Sequence, residues 1–322
     1  MNNYLILGGA GFIGYHLAKF LSKNPNNNIK IVDNFMRGKK DDDILQLQKK
    51  NNIKILNLDL TKPLNNNLGN KYDYIFNLAA IIGVKNVIRF PEMVLQNNFL
   101  LQKNAINIAK KQKKLKKFIF FSTSEVYAGS NHYFKTPIPS IENTPLTINE
   151  LKKPRTTYML SKIYGESMCY FSKIPFLILR PHNIYGERMG MDHVIPELLK
   201  RIVSLKKNKK LKVYTSSHLR SFCYISDAIK QIYFLTISKK KNEVFNIGND
   251  KSEVSIKDTA KLCLKIVNKK SKIINVDNNS NSPKRRCPSM KKTFKVIARN
   301  KFVNLESGIS YVYNWYKQKK LI

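Results

Sequence analysis

Tyr158 and Lys162 stand four residues apart in Tyr158-Met159-Leu160-Ser161-Lys162, inside a stretch of helical character. That spacing puts both side chains on one helical face. A free tyrosine ionises only near pH ~10, but a neighbouring ammonium favours the phenolate. A phenolate is a base fit to take the proton of an alcohol. Upstream, Phe120-Phe121-Ser122-Thr123-Ser124-Glu125-Val126-Tyr127 ends an apolar run in hydroxyls and a carboxylate. Ligands of open α/β sheets bind at such strand ends. Alone, a tyrosine and a lysine at this spacing describe an ordinary surface pair; the hydroxyl cluster upstream is what points to chemistry.

A second constellation opens the chain. Leu5 to Leu7 leads into Gly8-Gly9-Ala10-Gly11-Phe12-Ile13-Gly14 and then a helix. Gly8 permits a tight turn, Gly11 lets backbone N–H groups approach a pyrophosphate, and Gly14 allows close helix–sheet packing. The helix N-terminus adds partial positive charge. Asp33 ends the next strand-like run, where a carboxylate binds ribose hydroxyls and repels a 2′-phosphate, so NAD is favoured over NADP. Arg37, close by, weakens that preference. Asp59 either contacts the adenine or caps a strand end.

These groups need a scaffold. Short apolar runs at Tyr4–Leu7, Ile29–Val32, Ile53–Leu58, Tyr74–Leu78, Phe118–Phe121 and Phe176–Leu179 alternate with helical periodicity at Ile13–Ser22, Pro91–Lys111 and Tyr158–Phe171. That alternation predicts an α/β fold with a parallel sheet covered by helices. Beyond Arg180 the pattern is mixed. Helices are expected near Pro196–Leu205, Ser226–Ile237 and Ile256–Val267, with short strands such as Lys212–Tyr214 and Val244–Ile247. Joints near 181–190 and 278–289 suggest two domains: residues 1–180, and a smaller mixed α/β domain over 181–322, interleaved with the end of the first sheet.

At 322 residues, with 43% hydrophobic and 25% charged residues, the chain has the composition of a globular protein. Its apolar runs are shorter than the roughly 20 residues that span a bilayer, and Met1 to Leu7 lacks the order of a signal peptide. Cys169, Cys223, Cys263 and Cys287 are far apart and form no metal-ligand spacing, which excludes a zinc site and suits a reducing cytoplasm. The net charge of +37 raises the question of nucleic acid. However, the lysines fall in scattered runs at 110–117, 206–212, 239–241 and 317–320, and no single stripe forms. The charge is better read as an attraction for anionic substrates such as nucleotide diphosphates.

The G-x-x-G-x-x-G spacing, the Thr–Tyr–Lys set and several later segments resemble the extended short-chain dehydrogenase/reductase family. This is the NAD-dependent epimerase/dehydratase group that modifies nucleotide sugars, and the resemblance covers nearly the whole chain. It implies a Rossmann doubly wound parallel sheet with a smaller substrate-binding domain, a homodimer through the Pro91–Lys111 and Tyr158–Phe171 helices, and no metal. By that resemblance Thr123 hydrogen-bonds the reacting sugar hydroxyl and Tyr158 is the base. Lys162 holds the nicotinamide ribose and lowers the tyrosine pKa. Gly8, Gly11, Phe12, Ile13, Gly14, Asp33, Asn34, Asp59 and Leu60 would line the NAD site, as would Leu78, Ala79 and Ala80 of Asn77-Leu78-Ala79-Ala80. Asn98 would begin the long helix and brace the catalytic strand. Asn183 of Arg180-Pro181-His182-Asn183, Arg220 of the R-x-F-x-Y-x-x-D-like segment and Arg286 of R-x-P would bind the diphosphate. Lys85 and Arg188 complete the substrate set.

The reaction that follows oxidation at C4 depends on the sugar. A C6 carboxylate becomes a β-keto acid and leaves as carbon dioxide; a leaving C6 hydroxyl gives dehydration; hydride return to the other face gives a 4-epimer. Thr123-Ser124-Glu125 resembles the UDP-glucuronate decarboxylases and also GDP-mannose dehydratases, and Ser124 cannot act as the acid that dTDP-glucose dehydratases carry there. Asp33 to Lys39, Pro154-Arg155 and Gly186-Glu187-Arg188-Met189 also resemble the decarboxylases. Departures at Ala128-Gly129, Met159-Leu160-Ser161 and Ser289 bear on the substrate more than on the reaction class. A rival of another class is a non-catalytic NAD-binding regulator that holds nucleic acid on its basic surface. The intact Thr123, Tyr158 and Lys162 argue against it.

Overall fold

A computed structural model of the chain describes residues 1–62, 68–251, 253–276, 283–299 and 301–322, with Val84 described by its backbone alone. The joint expected at 278–289 lies partly outside the described residues. In chain order the first half forms β1 (Asn2–Leu7), α1 (Phe12–Leu21), β2 (Asn27–Asp33), α2 (Asp42–Gln48), β3 (Ile53–Asn57) and β4 (Tyr74–Asn77). Then come α3 (Val84–Arg89), α4 (Pro91–Lys110), β5 (Lys117–Phe121), α5 (Ala128–Tyr133), α6 (Pro154–Phe171) and β6 (Phe176–Pro181), with a 3-10 turn at Ser124–Tyr127. The second half carries β7 (Ile184–Tyr185), α7 (Val194–Val203), β8 (Leu211–Tyr214), β9 (Leu219–Ser221), β10 (Cys223–Tyr224), α8 (Ile225–Ile237) and β11 (Glu243–Ile247). It ends with β12 (Glu253–Ser255), α9 (Ile256–Val267), β13 (Ile273–Val276), β14 (Arg285–Arg286), α10 (Lys291–Phe294) and α11 (Leu305–Gln318).

The chain divides into two units, each discontinuous in sequence. The first comprises Met1–Ser130, Pro145–Pro181 and Ile229–Phe245; the second comprises Asn131–Thr144, His182–Ala228 and Asn246–Ile322.

The first unit is built on a seven-stranded sheet of order β11-β6-β5-β4-β1-β2-β3. The pairs from β6 through β3 are parallel. Strand order reverses between β1 and β4, the switch point at which a doubly wound sheet opens a ligand crevice. Every residue of β5 is buried, and β6 is buried up to Arg180. Continuous apolar runs are what a parallel sheet with helices on both faces requires. The core joins Leu5, Leu7, Val32, Ile75, Phe118, Phe120 and Ile178 of the strands to Leu101, Ala105 and Cys169 of α4 and α6. Lys117 is the polar exception in β5. Its ammonium donates to the carbonyls of Leu235, Thr236 and Ser238, at 3.3 and 2.6 Å for the first two, and so caps the end of α8. Both α4 and α6 begin with proline, whose missing N–H is no loss in the first turn.

In the second unit β9 lies between β12, antiparallel to it, and β14, parallel to it. Helix α11 packs where only glycine fits: a Cβ on Gly308 would come within 2.0 Å of the buried Tyr185 hydroxyl.

Candidate active site

The glycine loop follows β1 directly. Gly8 has φ +77°, and a Cβ there would meet backbone atoms of Leu78 and Ala79 at 2.7–2.9 Å. A Cβ on Gly14 would meet Gly9 and Gly8 at 2.6–3.0 Å. Gly11 differs, because a Cβ there meets only the Gly8 carbonyl, at 3.3 Å. The loop is therefore closed toward the sheet and open at Gly11. Beyond Gly11 the N–H groups of Phe12, Ile13 and Gly14 form the first turn of α1, which no intrahelical carbonyl can satisfy. No side chain caps that helix. An open backbone cradle with free donors fits a pyrophosphate.

Asp33 sits beside this loop. Its Oδ2 accepts from Ala10 N–H at 2.9 Å and its Oδ1 from Phe35 N–H at 2.9 Å. Burial pushes its carboxyl up, and the backbone donors Phe35, Ala10 and Asn34 pull it back. Asn34 is exposed, and Gly38 packs so closely on Ala10 that a Cβ would lie 2.7 Å from its backbone. Leu78, Ala79 and Ala80 line the end of β4, half-buried. Asp59 turns inward on its own loop, accepting from the Thr61 N–H and hydroxyl at 2.9 and 2.7 Å. These bonds hold its carboxyl below the ordinary range. Strand-end capping is the role this geometry supports. Leu60 is packed in the hydrophobic core, so its side chain is not part of an open cleft.

Thr123, Tyr158 and Lys162 meet at the end of β5. The Thr123 hydroxyl hydrogen-bonds the Tyr158 phenol and accepts from Glu125 N–H at 3.2 Å. A donor chain thus runs from the 3-10 turn through Thr123 to the phenol oxygen. Lys162 Nζ donates to the Phe121 carbonyl at 2.8 Å and lies 5.9 Å from the Tyr158 ring centre. Here the structure departs from expectation. Burial pushes Tyr158 up to about 12, against the Thr123 hydrogen bond and Arg37, which favour the phenolate; Glu125 adds to the rise. Burial likewise pushes Lys162 down to about 8, with Glu166 opposing. Desolvation is the largest influence on the tyrosine, and Lys162 is not among those that lower it. Ser124 is buried beside them, and Glu125 is paired with Arg155 of α6 at 2.9 Å.

Asn98 is also differently placed. It lies two turns inside α4, not at its start. Its Oδ1 accepts from Ile81 N–H at 2.7 Å, and its amide donates to the Ile81 carbonyl and the Ser161 hydroxyl at 3.1 and 3.2 Å. It braces the loop after β4 and the catalytic helix, where the expectation was β5. Lys85 is exposed on α3. Missed in the sequence were Arg155 and a buried set behind Lys162: Glu166, Arg180, Ser122 and Tyr127. The available signal was spacing, since Glu166 continues the i, i+4, i+8 row from Tyr158 through Lys162.

In the second unit the parallel pairing of β14 with β9 sets Arg286 directly opposite Arg220. Parallel partners project to the same side, so two guanidinium-bearing residues are neighbours. Arg220 is buried and donates to the carbonyls of Leu219 and Lys284 at 2.8 and 3.3 Å. Asn183, at φ +42°, gives its amide to the carbonyls of Ser221 and Arg286 at 3.1 and 3.3 Å. Both amide hydrogens are thereby engaged. Asn183 staples the two arginine strands together, which replaces the phosphate contact expected of its side chain. Arg188 sits on the turn after β7 at φ +64°, a conformation that is uncommon for a bulky residue.

The described residues contain no cluster of histidine, cysteine and carboxylate that could hold a metal, and no helix long and apolar enough to cross a membrane.

Comparison with known proteins agrees with this geometry. UDP-N-acetyl-alpha-D-glucosaminuronate decarboxylase of Bacillus cytotoxicus is 32% identical, over 98% of this chain and 97% of its own. UDP-glucuronic acid decarboxylase 1 of Xenopus tropicalis is 28% identical, over 98% of this chain and 72% of its own. Among solved structures, UDP-glucuronic acid 4-epimerase from Bacillus cereus, in complex with UDP-glucuronic acid and NAD, superposes with a TM-score of 0.83 at 27% identity, covering 98% of this chain and 99% of that one. The model of the NAD dependent epimerase/dehydratase family matches residues 4–248, and the chain belongs to that family.

Proposed function

We propose that the chain oxidises C4 of a nucleotide-diphosphate-linked uronic acid and releases carbon dioxide from C6, as a UDP-glucuronate decarboxylase-like enzyme. The observation that carries the reading is the donor chain from Glu125 N–H through Thr123 to Tyr158, with the Glu125 carboxylate beside it. The named activities of the relatives, two uronate decarboxylases and one uronate 4-epimerase, support the substrate class.

The residues at the open loop fit NAD. Gly8 to Gly14 would hold its pyrophosphate, Asp33 the adenine ribose, and Lys162 the nicotinamide ribose. When bound, NAD supplies a hydride acceptor for C4 and a positive ring charge beside the phenol. The chain's own part is proton handling. Burial holds the phenol above its ordinary range, so Tyr158 is kept from acting until positive charge is placed next to it. Tyr158 then takes the C4 hydroxyl proton while Thr123 holds the same oxygen. With C4 a ketone, the C5–C6 bond of the uronate breaks. Its electrons move into the ketone as an enolate, and carbon dioxide departs. C5 is then protonated from the Glu125 side, and C4 would regain its hydroxyl from the hydride given up in the first step and the proton returned by Tyr158. Arg220 and Arg286 would bind the diphosphate, for which adjacent guanidinium forks are suited.

C4 epimerisation without loss of carbon is the second reading, favoured by the fit to the Bacillus cereus epimerase. A homodimer through α4 and α6 is part of the proposal. These helices pack on one another and leave Phe90, Met93 and Leu100 beside or on α4 exposed. A cytoplasmic location accords with four buried free cysteines.

The test is incubation with NAD and UDP-glucuronate or UDP-N-acetylglucosaminuronate, read by mass and sugar NMR. A product lighter by one carbon dioxide, absent with Tyr158→Phe, is expected. Unchanged mass with inverted C4 makes it an epimerase. Silence across a panel of nucleotide sugars refutes both.

A further inference from the structure

Behind Lys162 lies an ion pair to which the reaction chemistry assigns no part. Arg180 at the end of β6 donates from Nε to Glu166 Oε1 at 2.9 Å and from its terminal nitrogen to Oε2 at 2.6 Å. Both side chains are almost fully buried, at 4% and 5% exposure. Two further residues join it. The Ser122 hydroxyl donates to Glu166 Oε1 at 2.5 Å, and the other Arg180 nitrogen donates to the Tyr127 hydroxyl at 2.8 Å. Ser122 and Tyr127 are the two ends of the segment that carries Thr123, Ser124 and Glu125.

We propose that the Glu166–Arg180 pair is a positioning element of the active site. It ties down both ends of the Ser122–Tyr127 segment and so fixes the Thr123 hydroxyl and the Glu125 carboxylate against Tyr158. This rests on the reading of Thr123 and Tyr158 as the reaction centre. The physical need is plain. The segment leaves a strand, where Ser122 N–H donates to Leu179, and enters a single 3-10 turn, where Val126 N–H donates to the Thr123 carbonyl at a long 3.4 Å and Ala128 N–H donates to Glu125; one such turn is short and its hydrogen-bond geometry is poor. Apolar side chains of equal volume could fill the same space, and buried ion pairs often give no net stability over such packing. What apolar packing lacks is direction. A planar guanidinium held bidentately fixes where its third nitrogen points, and here that nitrogen points at Tyr127. The carboxylate end of the pair also lies one helical turn beyond Lys162, and favours the lysine ammonium. The same pair therefore sets the position of the turn and the charge behind it.

Tyr127→Phe and Ser122→Ala each cut one tie and keep the ion pair. The first readout needs no substrate: hydrogen–deuterium exchange of the full chain, with backbone amides of 122–127 expected to exchange faster in either variant and the rest unchanged. The second uses a nucleotide sugar that the wild type turns over. Displacing catalytic groups by a fraction of an ångström should lower kcat by roughly ten- to a hundred-fold, with KM close to wild type. The acid side of the kcat–pH profile should move up as the Thr123 donation loosens. Unchanged exchange in both variants overturns the proposal, whether or not turnover is found. Faster exchange with unchanged kcat and pH profile overturns it too. A wild type inactive on every nucleotide sugar strikes the proposed function instead, and leaves the exchange result to decide whether the segment is tied.

Discussion

Adding a methyl group at Gly8 is expected to damage the fold, whereas adding one at Gly11 is expected to spare the fold and damage binding. In Gly8→Ala the new Cβ enters backbone atoms of Leu78 and Ala79 at 2.7–2.9 Å, at a φ of +77°. The left-handed conformation costs an alanine about 1–2 kcal/mol. Displacing a packed backbone adds about 1–3 kcal/mol. The sum, about 2–5 kcal/mol, is a large fraction of the ~5–15 kcal/mol that stabilises a typical domain. Gly11 has φ −69°, open to any residue, and its Cβ would touch only the Gly8 carbonyl. The loss of a glycine helix cap, about 0.5–1 kcal/mol, is offset by lower unfolded-state entropy, ~0.4–1 kcal/mol. Urea denaturation should thus show Gly11→Ala within about 0.5 kcal/mol of wild type. Calorimetric titration with NAD should show at least about a ten-fold weaker affinity, ~1.4 kcal/mol, because the methyl group occupies the opening of the cradle. Wild-type NAD affinity in Gly11→Ala would refute the placement of the pyrophosphate. A wild-type urea midpoint in Gly8→Ala would refute the packing of the loop on β4.

Two other expectations concern charge. Burial lowers Lys162 to about 8 from its usual value near 10.5. Below pH 8 folded and unfolded chains both carry the proton, and the fold bears a buried ammonium; between about 8 and 10.5 the unfolded chain holds more protons, so this group's contribution to stability rises with pH. Lys162→Met should therefore be more stable than wild type at pH 7, by up to about 3 kcal/mol, with the advantage shrinking toward pH 10. Denaturation curves across that range check it, and a variant less stable at every pH contradicts it. Arg286→Ala should weaken UDP binding by roughly ten- to a hundred-fold, because one of two adjacent guanidinium groups is lost. Calorimetry with UDP alone decides, and unchanged affinity would remove the arginine pair from the site.

How much of this was legible in the sequence follows from the range of each contact. The Gly8-to-Gly14 spacing, the alternation of β1 through β6 with helices, and the Tyr158–Lys162 row are written within a turn or a strand, and periodicity exposes them. The parallel sheet covered by helices follows from that local pattern, and the NAD dependent epimerase/dehydratase family from the motifs it carries. The Glu166–Arg180 set is not written anywhere locally: Ser122, Tyr127 and Arg180 meet Glu166 only after β5, β6 and α6 have packed. Asn183 shows the opposite failure. Its motif suggested a ligand contact, but carbonyls 38 and 103 residues further along the chain take its amide. The Tyr158 pKa could not be read from spacing either, because the lysine is visible in the sequence and the burial that raises the phenol is not. Helix α11 has a local start signal in Asn304, which accepts from Ser307 N–H, but the polar and aromatic residues between Ile309, Val312 and Tyr316 obscure its apolar stripe.

The place of β11 has a consequence for how this protein is made. Its residues, Glu243–Ile247, flank β6 at the margin of the first unit's sheet, yet they come after β7 through β10 in the chain. While the ribosome is still extending that intervening stretch, β1 through β6 are already available to fold. During this interval β6 is an uncovered border whose carbonyls and N–H groups have no neighbour on one side. Such borders are where nascent chains join one another. The exposure of β6 is thus internal to translation, and it ends when the strand starting at Glu243 emerges and pairs with it, so that the shorter β11 becomes the margin of the sheet.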